Sequence, residues 1–568
     1  MPRDSWGSFR GKGEGERRRW LRVRGGSALL TMTLAWGTPP GAAPPSPSPK
    51  PIAGATATPS ATPSDPKSLR AAAVAAVERA RARAAAASPV VREITLPSIE
   101  RLIQDADLRA ASITVPERDN AFVRASLEMA HAYADRLVAG DDPYRSATGM
   151  MVKAYRAEWD GTLQPYALYV PRGYRPGRPG GWPLVVALHG AYSDHRHNLR
   201  RVFGLDNRPP ENDAEASRNE LPLPDVPALV VSPFGRGELM GYDGLGGDDV
   251  MRVIADVRRA YDVDADRISL TGLSMGGGGT WQIGLRHPEL FAALAPVCAV
   301  ADYRRMIPPA DAALYNADAL DRESPAAFAA NAARMQVFIF HGAKDTTVPV
   351  GDSRKMVERF KSLGMYGKNV RYTEYPDVAH SAWIPVYKDA ALLRTLAGIK
   401  RDPAAPKVAA PPPELCTAVP GLFGKSEPRQ HPHLYVYGTH GAPDAVAAAR
   451  KLATALADWG PMVGVRFPVK ADSDVTDEDQ ADYRLVLVGA APLNALARPI
   501  AMSDGHPVGD RAFRAMSEPP RVIRGKFRCS LTFGALTPRG FDRLKRFARP
   551  NRDGWAPEPN RPFVLLAD

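Results

Sequence analysis

Residues 149–401 predict an α/β domain built on a doubly wound, mostly parallel sheet. Three observations carry this. Strand-length runs recur near 182–188, 228–231, 267–273, 294–300 and 337–341, and Leu184-Val185-Val186-Ala187-Leu188 is wholly apolar, as a strand buried on both faces should be. Helix-length amphipathic stretches separate these runs, the alternation that parallel sheets require. One run, Arg267 to Leu273, passes directly into Ser274-Met275-Gly276-Gly277-Gly278-Gly279, which reads as strand, sharp turn and helix. A smaller βαβαβ pattern follows at 434–488.

The chain has 568 residues, too many for one core, so several units are expected. Apolar residues make up 44% and charged residues 24%, an ordinary globular balance. The net charge is +12, with a disproportionate share in the first 43 residues. The remainder is too dilute to indicate a nucleic-acid partner. Cys298, Cys416 and Cys529 form no Cys-x-x-Cys pair, so they read as small buried residues rather than as a zinc or redox site.

Taken in order, Arg17 to Arg24 is basic, Gly25 to Trp36 is apolar, and Gly41-Ala42-Ala43 is small. That order predicts a signal peptide over 1–43 and hence export. The apolar core is too short for a stable membrane span. Arg17-Arg18 before Trp20-Leu21 also resembles a twin-arginine signal. Residues 44–90 begin as a Pro/Ala-rich tether and continue as an Ala-rich helix from Lys67 to Ala87. Residues 91–148 carry two helical patterns, with Leu102 and Ile103, then Phe122, Leu127, Met129 and Tyr133, at core-facing spacing. They are expected to pack as a layer on the domain that follows.

That domain opens with alternating runs, Met151 to Trp159 and Gln164 to Val170, around an Asp160-Gly161 hairpin turn. After the strand ending in Leu188-His189-Gly190, a helix is expected over Asp248 to Ala260. Asp243, Asp248 and Asp249 before and within its first turn suit capping better than a metal site. Residues 402–413 are a proline-rich linker, and 414–568 form a C-terminal α/β accessory unit. Its strands are expected at 434–437, 463–469, 484–488, 527–533 and 563–566, with helices at 444–459 and 477–483.

A serine hydroxyl attacks well only if a base takes its proton and a carboxylate orients that base. Ser274 at the sharp turn is the candidate nucleophile, with Gly272 and Gly276 leaving room beside it. Downstream, Phe338-Ile339-Phe340-His341-Gly342-Ala343-Lys344-Asp345 delivers Asp345 just past a buried strand. Asp352, at a helix start, and Asp377, in a turn, are weaker candidates for the acid. His380 follows the next strand and completes the chain order Ser, acid, His. His341 reads as a strand-end histidine and His189 as a shaper of its loop. The oxyanion donors are expected to be the N–H of Met275 and that of Ala191 or Tyr192, with Gly190 allowing close approach. Tyr192, Tyr242 and Trp383 are the aromatic candidates for the pocket, and an aromatic lining would favour an acid such as ferulate. The chemistry requires neither metal nor cofactor.

These residues resemble the secreted esterase and depolymerase-like α/β-hydrolases related to the prolyl oligopeptidase catalytic domain. The resemblance rests on Asp160-Gly161-Thr162-Leu163-Gln164-Pro165-Tyr166, Leu188-His189-Gly190, Asp266 through Gly277, His341-Gly342-Ala343-Lys344-Asp345 and His380, and covers about 149–400. It implies a serine hydrolase acting through an acyl-enzyme on a small or polymeric ester. A prolyl oligopeptidase-like peptidase is the alternative, disfavoured because no propeller-sized segment is expected before the domain. A second alternative is a non-catalytic or polymer-binding module on this fold, which an intact Ser/Asp/His set argues against.

Overall fold

The computed structural model describes residues 65–401 apart from 159, 208–215, 217–221, 243, 307–320 and 322–323. It then describes 433–458, 466–489 and 493–496, with further strands at 514–515, 531–534 and 563–566. The leader, the start of the tether and the 402–413 linker lie outside the described residues. No helix among those described is long and apolar enough to cross a membrane.

Three helices come first: α1 (Pro66–Ala84), α2 (Leu96–Ala110) and α3 (Pro116–Val138), with a π-type turn at Val91–Thr95. Each carries proline in its first turn, where the missing N–H costs nothing. The buried face of α1 is mostly alanine, and Ala130 and Ala134 of α3 are also fully buried. Small side chains on both helices allow close packing, and Leu69, Ile99, Leu127 and Leu137 fill the centre of this cluster. As expected, the helices lie on the following domain: Ser98 Oγ accepts from Ala154 N at 3.0 Å, and Asp105 pairs with Arg196 at 2.9 Å.

The main sheet comprises β1 (Gly149–Arg156), β2 (Leu163–Val170), β3 (Trp182–Leu188), β4 (Leu229–Pro233), β5 (Val263–Leu273), β6 (Ala293–Val297), β7 (Gln336–Gly342) and β8 (Val370–Tyr375). The order is β1-β2-β4-β3-β5-β6-β7-β8. Pairing is antiparallel from β1 to β2 and from β2 to β4, and parallel from there to β8. Strand alternation divides β3 between two cores. Leu184, Val186 and Leu188 join one, and Val185 and Ala187 the other. Helices α5 (Leu245–Ala260), α6 (Met275–Arg286) and α7 (Gly351–Ser362) cover the first face. Helices α4 (His195–Val202), α8 (Trp383–Tyr387) and α9 (Ala391–Ala397) cover the second. From β3 the chain winds to β4 on one side and then to β5 on the other. The crevice at their C-terminal ends is therefore where such sheets place a ligand.

Two local expectations are corrected. The β1–β2 connection is not a tight hairpin, because the last pair is Arg156 with Leu163. Asp160 accepts from the Thr162 N–H at 3.1 Å and pairs, buried, with Arg236 of the loop after β4. Asp249 does not cap α5. It is buried and accepts from Tyr155 Oη at 2.5 Å and from Gly235 N at 2.8 Å. Burial raises its carboxyl to about 6, against the pull of Tyr155 and Arg236. Asp243 lies outside the described residues.

The C-terminal unit holds β9 (His433–Tyr437), α10 (Pro443–Ala457), β10 (Val469–Ala471), α11 (Asp477–Asp482), β11 (Arg484–Val488), β12 (Arg514–Ala515), β13 (Leu531–Gly534) and β14 (Phe563–Leu566). The βαβαβ pattern holds, in a six-stranded sheet ordered β10-β9-β11-β13-β14-β12. The second strand is Val469–Ala471, preceded outside the ladder by Phe467 and by Pro468, which cannot donate to one; residues 463–465 of its expected range lie outside the described residues. Strand β13 runs Leu531–Gly534, and residues 527–530 of its expected range lie outside the described residues. Met240 and Leu245 of the domain built on the first sheet share an apolar cluster with Tyr435, Leu452, Phe467 and Leu493 of this unit.

Candidate active site

Strand β5 ends at Leu273 and α6 begins at Met275, leaving Ser274 alone in the turn with φ 55° and ψ −116°. An L-residue is strained there, and the neighbours must give it room. A Cβ on Gly272 would lie 2.3 Å from the Gly276 carbonyl oxygen, and one on Gly276 would lie 2.2 Å from that of Leu188. No side chain fits at either position. Ser274 N donates to Val297 O at 2.9 Å, tying the turn to β6.

The structure brings Ser274, Asp345 and His380 together. Ser274 Oγ donates to His380 Nε2 at 2.9 Å, and His380 Nδ1 donates to Asp345 Oδ2 at 2.7 Å. The carboxylate fixes the Nδ1–H tautomer, which leaves Nε2 as the acceptor that faces the serine. The other oxygen of Asp345 accepts from Thr347 N and Val348 N, both at 2.9 Å. Burial alone would raise the Asp345 carboxyl. Hydrogen bonds from His341, His380 and the Val348 N–H outweigh burial and hold it well below the usual carboxylate range. Asp352 sits in the first turn of α7, and Asp377 is exposed and pairs with Lys344 at 2.8 Å. Neither reaches His380.

Two residues behind Ser274, Asp345 and His380 were not singled out from the sequence for this position. His341 is fully buried. Its Nδ1 accepts from Ser353 Oγ at 2.7 Å, and its Nε2 faces Val348 O at 2.8 Å and Asp345 Oδ2 at 3.2 Å. Cys298 Sγ donates to the His380 carbonyl at 3.1 Å, and burial beside Asp345 raises its thiol to about 12. Cys298, His341 and Asp345 place a thiol, an imidazole nitrogen and a carboxylate within 4.8 Å of one another. Each is engaged in hydrogen bonds to the triad or its supports, so the set acts here as scaffold. The sequence signals were slight: a buried His-Gly at a strand end, and a cysteine just past β6.

At the other edge of the crevice, Met275 and Ala191 carry N–H groups with no backbone acceptor among the described residues. A Cβ on Gly190 would stand 3.5 Å from Ser274 Cβ, so this loop reaches Ser274. Tyr192 does not fit the expected donor role, since its N–H is spent on Glu238 O at 3.0 Å and its ring is 67% exposed. Tyr242 is not a pocket residue either. It is buried, and its hydroxyl donates to His189 O at 3.3 Å and accepts from His189 N at 2.9 Å. His189 faces Gly190 O and Phe234 O through its ring nitrogens and has no route to the serine, consistent with a loop-shaping role. Trp383 does lie at the site, its ring edge-on to His380 at 5.3 Å. Beyond Ala191, a cavity of about 320 Å³ opens between the α2–α3 layer and the loop, lined among others by Leu108, Phe122, Tyr192, His195, Arg196 and Glu238.

Residues 245–398 match the prolyl oligopeptidase family. Poly(3-hydroxyalkanoate) depolymerase C of Paucimonas lemoignei is 25% identical over 206 residues, 32% of this chain and 45% of that protein. The chain thus spans less than half the length of this relative. Among solved structures, a thermostable esterase is 26% identical over 44% of this chain and 63% of its own, with a TM-score of 0.32. A ferulic acid esterase is 16% identical over 45% of this chain and 99% of its own, with a TM-score of 0.34. With the sheet order and the sharp turn at Ser274, the sequence matches point to an α/β-hydrolase fold whose residues 245–398 are similar to the prolyl oligopeptidase family.

Proposed function

We propose that the protein hydrolyses carboxylic esters through an acyl-enzyme on Ser274. The observation that carries this is the continuous Ser274–His380–Asp345 chain of hydrogen bonds at 2.9 and 2.7 Å. As Ser274 Oγ attacks the acyl carbon, His380 Nε2 takes its proton, and ionised Asp345 stabilises the imidazolium. The developing oxyanion meets the N–H groups of Met275 and Ala191, each worth about 3 kcal/mol in such sites. His380 then gives the proton to the departing alkoxide. A water activated by the same imidazole releases the acid.

The ester reading draws on the depolymerase among the relatives. The match to a peptidase family favours peptide hydrolysis as the second reading, since triad and oxyanion donors serve both. A panel of p-nitrophenyl acetate, longer p-nitrophenyl esters, methyl ferulate and prolyl-p-nitroanilide decides. The esters should show the higher kcat/KM. A dominant anilide activity would replace the esterase reading with the peptidase one.

Export belongs to the same proposal, supported by the basic, apolar and small-residue order of 1–43. Mass spectrometry of the protein from its host should find a mature N-terminus near residue 44. An intact Met1 would overturn it.

A further inference from the structure

Another cavity beside the helical layer lies far from Ser274. It measures about 430 Å³ and is enclosed by the end of α1, the turn at 84–91, the end of α3, the loop at 140–145, β1 and the end of α5. Tyr261, one of its walls, stands just before β5, whereas Ser274 follows the other end of that strand. Eleven residues of strand separate the two sites by on the order of 30 Å.

Lys153 of β1 lines this cavity and is only 1% exposed. Its Nζ lies over the rings of Tyr144 at 4.7 Å and Tyr261 at 5.2 Å. Among the described residues it has no hydrogen-bond acceptor and no carboxylate within salt-bridge distance. Buried ammonium groups are costly unless an anion meets them. The nearest wall carboxylate, Asp142, is already engaged: it accepts from Thr95 Oγ1 at 2.9 Å and from Tyr144 N at 3.0 Å. The buried Tyr144 hydroxyl has no partner. Arg83 and Arg145 stand at the rim. Two donors thus lack an acceptor in a net cationic cavity, whose remaining wall at 84–91 is mostly alanine and valine.

We infer that this cavity binds a small organic carboxylate, its oxygens on Lys153 Nζ and the Tyr144 hydroxyl and its aliphatic body against the 84–91 wall. The aromatic faces keep the ammonium in place, and the carboxylate supplies the acceptor that the protein lacks. Burial lowers the ammonium to about 8, against the attraction of Asp142 and Asp256, so a bound anion has a proton affinity to restore. A phosphate would suit the aliphatic wall poorly, and an amine would meet three cationic side chains.

The test is calorimetric titration of the full chain carrying Ser274→Ala with sodium butyrate, inorganic phosphate and butylamine in turn. Butyrate should bind in the millimolar range, with phosphate and butylamine at least tenfold weaker. Lys153→Met should weaken butyrate at least tenfold, and Tyr144→Phe severalfold, while Lys153→Arg retains binding. In wild-type protein, where folding is not in question, butyrate should slow acetylation of Lys153 by acetic anhydride at least fivefold, read on its peptide by mass spectrometry. Equal butyrate affinity in a folded Lys153→Met protein, equal binding of butylamine, or unprotected Lys153 would each overturn the inference.

Discussion

The two mostly parallel sheets of this molecule treat their C-terminal crevices in opposite ways. In the hydrolase sheet, the loops after β3 and β5 press together until only glycine fits, yet the groups they present stay uncommitted. The Ser274 hydroxyl faces His380 Nε2, and the N–H groups of Ala191 and Met275 have no backbone acceptor among the described residues. In the C-terminal sheet, the crevice between β9 and β11 is closed by the chain itself. A Cβ on Gly438 would lie 2.3 Å from the Leu493 carbonyl, whose oxygen accepts from His440 N at 2.9 Å. Asn494 Nδ2 donates to Val436 O at 3.0 Å, and Asp472 accepts from Thr439 Oγ1 at 2.6 Å and Ala495 N at 2.7 Å. One crevice keeps its polar groups for a substrate; the other spends them on its own loop. Topology marks where a site can be. Unspent hydrogen-bonding capacity marks where one is.

The comparison can be broken first at the triad. Ser274→Ala should lower kcat/KM on the best ester by on the order of 10⁵-fold or more, with the circular-dichroism spectrum unchanged. Asp345→Asn should cost about 10⁴-fold, because an amide at that position favours the wrong imidazole tautomer. The ionised Asp345 carboxylate is itself robust to acid. Its folded pKa is depressed, so its contribution to stability is present above the usual aspartate range and is lost only as pH falls through the lower folded value. Substitution, and not mild acid, is what tests it.

At the closed crevice the outcome should invert. Leu493→Ala removes a buried side chain from the cluster that contains Met240 and Leu245, and should cost about 2–4 kcal/mol in urea unfolding of the C-terminal unit. Ester turnover should stay within about twofold of wild type, a marginal change on the free-energy scale. A large loss of turnover in folded protein would mean that the second crevice is coupled to the first.

The smallest effect sharpens what supports the open crevice. Asp249 is buried beneath the loop after β4, with a carboxyl raised to about 6 from the ordinary aspartate value of about 3.8. A raised folded pKa means that its contribution is fully present below about pH 3.8 and is lost as pH rises through about 6. Between pH 5 and pH 7 wild type should therefore lose about 1 kcal/mol of stability relative to Asp249→Asn. Parallel urea titrations at the two pH values would show this, and an unchanged difference would mean that the group is not buried as described.

Much of this was legible from residues alone. Ser274, Asp345 and His380 each follow a strand-like run in the required chain order, and the structure places them in one hydrogen-bonded line. The strands at 484–488 and 563–566 coincide with the expectation because apolar β-branched and aromatic residues there compete with no helix-favouring pattern. What escaped depends on where loops travel. Tyr192 and Tyr242 look alike as aromatic loop residues, but one ring is left exposed and the other is drawn under His189 by two hydrogen bonds. Asp249 reads as a helix cap by spacing, and only the approach of Tyr155 from β1, far away in sequence, gives it another partner. His341 and Cys298 support the triad through contacts that no local pattern encodes.

The central claim is that Ser274 is the nucleophile of the open crevice. Its most direct test is a fluorophosphonate probe followed by peptide mapping. One adduct per chain should appear on the peptide holding Ser274, and none in Ser274→Ala. An adduct on another serine, or undiminished labelling of a folded Ser274→Ala protein, would contradict the account.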